Sequence, residues 1–277
     1  GDVLEVGSTA KVYADSGCTT QLGSAATIAA TDVVISDISF ASDGVKNFYG
    51  KITDQAGNST ACTDLARSYT FETAAPSVSS IVKASSSPTN SGTVNFTVTF
   101  SEGVSGVDTA DFTLTVAGVS GASVSSVTQV TASQYTVAVA TGSNSGTIRL
   151  DLTDNDSITD TAGNMLGGAG VNNYTSGETY TIDKTGPTVT VNQASGQADP
   201  ASTFPILYDV VFNEAVTGFT SADVTIGGTA TGITLTVSGS GTTYEIQITG
   251  ASTSGTIIPS INASGAADLA GNLNAAS

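Results

Sequence analysis

Polar and apolar residues alternate one for one in short runs over most of the chain. In Thr93-Val94-Asn95-Phe96-Thr97-Val98-Thr99-Phe100 every second side chain falls on one apolar face, the period of a half-buried strand. The same period-two reading covers Thr9–Tyr13, Val33–Ile35, Lys46–Ile52 and Arg67–Phe71. It returns over Val78–Lys83, Phe112–Ala117, Ser123–Val130, Tyr135–Ala140, Thr147–Leu152 and Thr179–Asp183. Small turn formers separate the runs, and Ser42-Asp43-Gly44 is predicted as a hairpin turn. Ser264–Leu269 is the best helical candidate, but it is short and broken by Gly265. The pattern predicts an all-β protein.

A second, longer period overlies the first. Asp-x-x-Gly-Asn occurs as Asp54–Asn58, Asp160–Asn164 and Asp268–Asn272, with neighbouring copies separated by 106 (160 − 54) and 108 (268 − 160) residues. A fixed long spacing marks a tandem array. Around the last two copies the alignment extends. Phe96–Glu102 corresponds to Tyr208–Glu214, Asp111–Leu114 to Asp223–Ile226, Gln134–Val137 to Thr243–Ile246, and Ser145–Ile148 to Ser254–Ile257. Three domains follow: 1–74, 75–185 and 186–277. Their linkers are Glu72-Thr73-Ala74-Ala75-Pro76 and Asp183-Lys184-Thr185-Gly186-Pro187, each stiffened by its proline. Seven short strands in the middle domain predict an immunoglobulin-like β-sandwich. The third domain is expected to lack its C-terminal strand, and the whole to be a fragment of a longer array forming an extended rod.

Composition narrows the function. The chain has 24 acids against seven bases, a formal net charge of −17, no His and no Trp. No base follows Lys184, so a nucleic-acid surface is excluded. No apolar run approaches the ~20 residues that cross a bilayer, so membrane insertion is not expected. Without His, Ser-His-Asp chemistry is excluded. Paired acids could cleave glycosides, but the chain lacks the Trp that would line a sugar cleft, and a non-catalytic role is expected. Cys18 and Cys62, the two cysteines, both fall in the first domain and read as a disulfide made in an oxidising compartment. Two buried thiols are the alternative.

Strand parity gathers the acids. In a seven-stranded sandwich the loops after strands two and six share a pole with the start of strand one. Glu102, Asp108, Asp111, Asp160 and Asn164 should therefore meet near Glu72. Glu214, Asp223, Asp268 and Asn272 should likewise meet near Asp183. A set of oxygen ligands without His or free Cys suits a hard cation, Ca²⁺ above Mg²⁺ or Zn²⁺. The alternative is that these Asp and Asn residues only cap turns. Asp151, Asp154 and Asp156 have no counterpart in the third domain and form a second local site or a solvated loop.

Ser101-Glu102-Gly103-Val104, Asp111-Phe112-Thr113, Asp160-Thr161-Ala162-Gly163-Asn164 and Asp183-Lys184-Thr185-Gly186-Pro187 resemble the recurring motifs of bacterial Ig-like domains. The first domain, with Val12–Cys18 and Thr53–Asn58, resembles a sister subtype carrying the cysteine pair. The resemblance implies a structural spacer in a bacterial cell-surface or secreted adhesin-type repeat protein. Its partners are neighbouring Ig-like repeats of the same chain, with calcium stiffening the joints. Two other readings are an extracellular filament of identical subunits, with Asp2–Val6 lent as a strand to a neighbour, and a carbohydrate-binding module using Tyr13, Tyr49, Tyr174 or Tyr208.

Overall fold

The computed structural model describes residues 6–29 and 33–277. The chain divides into two compact units, Gly1–Ala74 and Ala75–Ser277. The Asp2–Val6 segment, apart from Val6, lies outside the described residues.

In the first unit β1 (Thr9–Tyr13), β2 (Gln21–Thr27), β3 (Gly44–Thr53) and β4 (Thr63–Phe71) form one antiparallel sheet in the order β2-β1-β3-β4. Val33–Ile35 is not a strand. That segment runs on to Phe40 without ladder partners and lies across the sheet. Ser24 N–H donates to Ser36 O at 3.0 Å, and the Phe40 ring packs against Phe48 and Phe71. Ser42-Asp43-Gly44 leads into β3 rather than joining two strands, and Gly44 supplies the positive φ of +113°. Buried apolar side chains among the described residues of this unit are few, namely Tyr13, Leu22 and Ile28. The disulfide between Cys18 and Cys62, which closes 44 residues of chain, is the covalent supplement to that small core.

The second unit contains two separate cores. The middle sandwich packs one sheet, β5 (Val78–Lys83), β6 (Thr93–Phe100), β10 (Gln134–Ala140) and β9 (Ser123–Thr131), in the order β5-β6-β10-β9. Facing it are β13 (Thr179–Ile182), β11 (Gly146–Leu152) and β8 (Phe112–Ala117), in the order β13-β11-β8. A two-residue pair, β7 (Val104–Ser105) with β12 (Thr159–Asp160), closes one end. The alternation seen in sequence is the packing: Val94, Phe96, Val98 and Phe100 are buried, and across the core so are Ile148, Leu150, Leu152, Tyr180 and Ile182.

The last sandwich repeats the plan with β14 (Val189–Gln193), β15 (Ile206–Val216) and β17 (Thr234–Gly250) in one sheet, and β16 (Val224–Gly228) with β18 (Ile257–Ile261) in the other. β17 folds back on itself at Gly239-Ser240-Gly241, where both glycines have positive φ, so that Thr249 Oγ1 reaches Thr234 Oγ1 at 3.0 Å. The two cores share a device. Tyr135 and Tyr244 each bury their ring and donate the hydroxyl to a carbonyl at a sheet end, Val104 O and Val216 O.

Candidate metal centre

The Asp-x-x-Gly-Asn loop is a self-capped turn. Asp268 Oδ1 accepts the N–H groups of Ala270 and Asn272 at 2.8 Å each, and Asn272 Nδ2 donates to Asp268 Oδ2 at 2.8 Å. Asp160 does the same with Ala162, Gly163 and Asn164. Asp54 repeats the bonds to Asn58 in the first unit. The glycine is fixed by conformation, with φ of +92°, +94° and +92° at Gly57, Gly163 and Gly271. The capping role is thus present in all three copies.

What differs is the company each Asp keeps. Asp183, Glu214 and Asp268 each present a carboxylate oxygen, all within 4.8 Å of one another. Asp183 closes the middle sandwich, whereas Glu214 lies on β15 and Asp268 on the late loop of the last sandwich, so the group spans their joint. Asp268 is buried and the other two are half-buried. Burial, and then the charges of Asp268 and Asp183, push the Glu214 carboxyl above its ordinary value. In the middle sandwich Glu102 and Asp160 hold the corresponding places, again with oxygens within 4.8 Å. Glu72 belongs to the first unit, where its carboxylate accepts the Ala74 N–H.

Other predicted ligands stand elsewhere. Asp223 closes a capping box on the 3-10 turn Ser221–Asp223, accepting Thr220 N–H and its hydroxyl at 2.8 Å each. Asp111 closes the matching turn after Asp108 and also accepts from Ser157 Oγ at 2.8 Å. Asp108 caps Ala110 N–H. Asp111 and Asp223 therefore hold the entry to β8 and β16 and stand outside the acidic groups among the described residues. Asp151 is tied to Arg149 and Thr115, and Asp154 holds Asn172 and Asp156 N–H groups. Tyr13 is buried, while Tyr174 and Tyr208 pack against the cores.

The joint contains residues that the alternation did not point to. Asp183 Oδ1 accepts from Thr185 N–H and Ser145 Oγ at 3.0 Å each, which fixes its carboxylate. Asn272 Nδ2 also reaches Asp183 O at 3.0 Å, so this predicted ligand gives one amide hydrogen to Asp268 in its own loop and the other across to the middle sandwich. Lys184 Nζ turns away from the acids to Asn90 O and Ser91 O, at 2.6 and 2.8 Å. Asn90 N–H donates to Ala270 O at 3.0 Å. A Cβ on Gly186 would stand 2.3 Å from Leu273 O. The three converging acids thus have no ammonium among them, and their all-oxygen donor set fits a hard divalent cation.

These features define a class: all-β domains of the immunoglobulin-like sandwich type. More particularly, residues 183–277 match the family model described as bacterial Ig-like domain. No curated protein sequence matches the chain. Among solved structures the chain is similar to FdeC, an Escherichia coli adhesin, at 14% identity and a TM-score of 0.39, covering 84% of this chain and 73% of that one.

Proposed function

We propose that this chain is a non-catalytic spacer of a bacterial cell-surface or secreted adhesin-type repeat protein, with calcium stiffening the joint between its last two sandwiches. The observation that carries the reading is the Asp183–Glu214–Asp268 group, which draws its oxygens from both sides of one joint. The bacterial Ig-like match over 183–277 supports the class. Asp183, Glu214 and Asp268 would hold the cation, and a divalent ion there offsets two of three charges that otherwise repel. Ser145, Thr185 and Asn272 keep Asp183 and Asp268 in place. A cation shared by both sandwiches binds the closed joint better than the open one, so it adds stability by mass action, about 2.7 kcal/mol at a hundredfold excess over Kd.

The test is calorimetric titration of the 277-residue chain with Ca²⁺, with melting curves and solution scattering in Ca²⁺ and in EGTA. Chelation should lower the melting temperature of the last two sandwiches and loosen their joint. Glu214→Gln should weaken binding roughly tenfold or more. No heat of binding and superposable melting curves would remove calcium from the reading.

A further inference from the structure

The chain enters the middle sandwich through β5 and leaves it through β13, and the two lie at the edges of different sheets. After β5 the chain changes sides. Val78–Lys83 pairs antiparallel with β6, whereas Thr89 forms a parallel bridge with Ile182 of β13. The intervening Ala84-Ser85-Ser86-Ser87-Pro88 has no apolar alternation. Its side chains are small and mostly hydroxylic, which lets it run close to the exit strand and exchange hydrogen bonds with it.

These bonds follow one another in a single parallel order. Glu178 N–H donates to Ile81 O at 3.0 Å, and Lys83 N–H to Glu178 Oε2 at 2.8 Å. Ser85 N–H donates to the Tyr180 hydroxyl at 3.0 Å, and that hydroxyl donates to Asn95 O at 2.9 Å. Pro88 has no N–H to give, and Ser87 Oγ beside it accepts the Thr181 N–H at 2.8 Å. Thr89 N–H donates to Thr181 O at 3.1 Å, and Thr89 O accepts the Asp183 N–H at 3.0 Å. Lys184 Nζ closes the run on Asn90 O and Ser91 O. Ile81, Tyr180 and Ile182, drawn from both segments, are almost wholly buried.

Direction decides what such a run does under load. Tension along the chain draws residues 81–91 back toward Pro76 and draws residues 178–184 forward toward Thr185. Two parallel segments pulled in opposite senses along their length are in shear. Every bond between them carries load at once, and the bonds must part together. A pair pulled apart from one end opens one bond at a time, at far smaller force. The buried Tyr180 and Ile182 side chains must also leave the core before the exit strand can slide.

We propose that residues 81–91 and 178–184 form a mechanical clamp, which makes the middle sandwich a tension-bearing link that resists unfolding when the chain is pulled from its ends. While the clamp holds, load passes straight from the entry segment to the exit segment, and the strands between them are shielded. Its biological use rests on the spacer reading. The clamp itself lies along one sandwich and needs no cation.

The test is single-molecule force spectroscopy of the 277-residue chain, tethered at both ends and held in EGTA, so that the clamp and the calcium reading can fail separately. The middle sandwich is recognised by its release of roughly 350 Å of chain between residues 78 and 182. At constant force, Ser87→Ala should speed that event about fivefold, and so should Tyr180→Phe, which keeps the buried ring. Thr115→Val removes a bond to Asp151 in the sheet that holds β13, outside the clamp, and should leave the event at its wild-type rate. The proposal is overturned if neither clamp variant changes that rate, or if Thr115→Val changes it as much.

Discussion

Gly186→Ala tests whether the joint is held by direct packing as well as by charge. Gly186 is not in the left-handed region, so the substitution brings no conformational penalty of the positive-φ kind. The cost is contact alone. The new Cβ would lie 2.3 Å from Leu273 O, against about 3.4 Å for ordinary contact, so the linker and the Asp268–Asn272 loop must part by about 1 Å. That displacement stretches the 3.0 Å bond from Asn272 Nδ2 to Asp183 O beyond hydrogen-bonding range. Overpacking costs roughly 1–3 kcal/mol and the lost bond about 1 kcal/mol, or about 3 kcal/mol together. The assay is amide exchange at Asn90, whose N–H donates across the joint to Ala270 O. Three kcal/mol of destabilisation predicts exchange roughly a hundredfold faster there, with the β6 and β10 amides of the middle core unchanged. Gly92→Ala, with nothing near its built Cβ, is the control. Unchanged Asn90 exchange in the Gly186 variant would refute the claim that this contact locks the two sandwiches.

Two further outcomes are expected. Glu214 has its folded-state pKa raised by burial and by Asp268 and Asp183, so its contribution to stability is present below the ordinary value of 4.5 and lost as pH rises through the folded value. In EGTA, acidification from neutral pH toward that value should therefore stabilise the wild type relative to Glu214→Gln in paired melting curves. Calcium affinity, which needs the ionised carboxylate, should fall over the same window. Reduction of Cys18–Cys62, which closes 44 residues, should cost the first unit about 4 kcal/mol by loop entropy. With only three buried apolar side chains among its described residues, that unit should unfold while the second does not, which circular dichroism in reducing agent would read.

The strands of the two larger sandwiches were legible because they carry full alternation against a real core: each apolar residue of Thr93–Phe100 is buried. β2 was missed because Gln21-Leu22-Gly23-Ser24-Ala25-Ala26-Thr27 buries only Leu22 and shows no period. Val33–Ile35 looked like a strand because three β-branched residues in a row favour extension, yet that segment serves as an irregular second layer. At the joint, Asp183, Glu214 and Asp268 were legible through parity and the repeat. Asp108, Asp111 and Asp223 read as ligand positions in the sequence, but Asp108-x-x-Asp111 and Thr220-x-x-Asp223 each also spell a capping box, and the structure shows both boxes. The bonds of Lys184 and Asn272 across the joint, and the close approach at Gly186, join residues 87 to 94 apart in sequence. No local signal in a single chain announces such pairs.

The three Asp-x-x-Gly-Asn loops separate scaffold from site. All three Asp residues make the same bonds to the Asn of their own loop, so the turn satisfies its backbone N–H groups from within. At Asp54, which is half-buried, hydrogen bonds from the Asn58 side chain and backbone hold the carboxyl below the ordinary value. Capping and metal binding are therefore not rival readings of Asp268. The N–H donors that satisfy Oδ1 also fix the carboxylate rigidly, and a fixed carboxylate is a better ligand than a mobile one. What turns a capped turn into a candidate centre is Glu214 arriving from β15 and Asp183 from the preceding sandwich. It follows that replacing Glu214 should remove cation affinity and leave the loop intact, whereas replacing Asp268 should remove both.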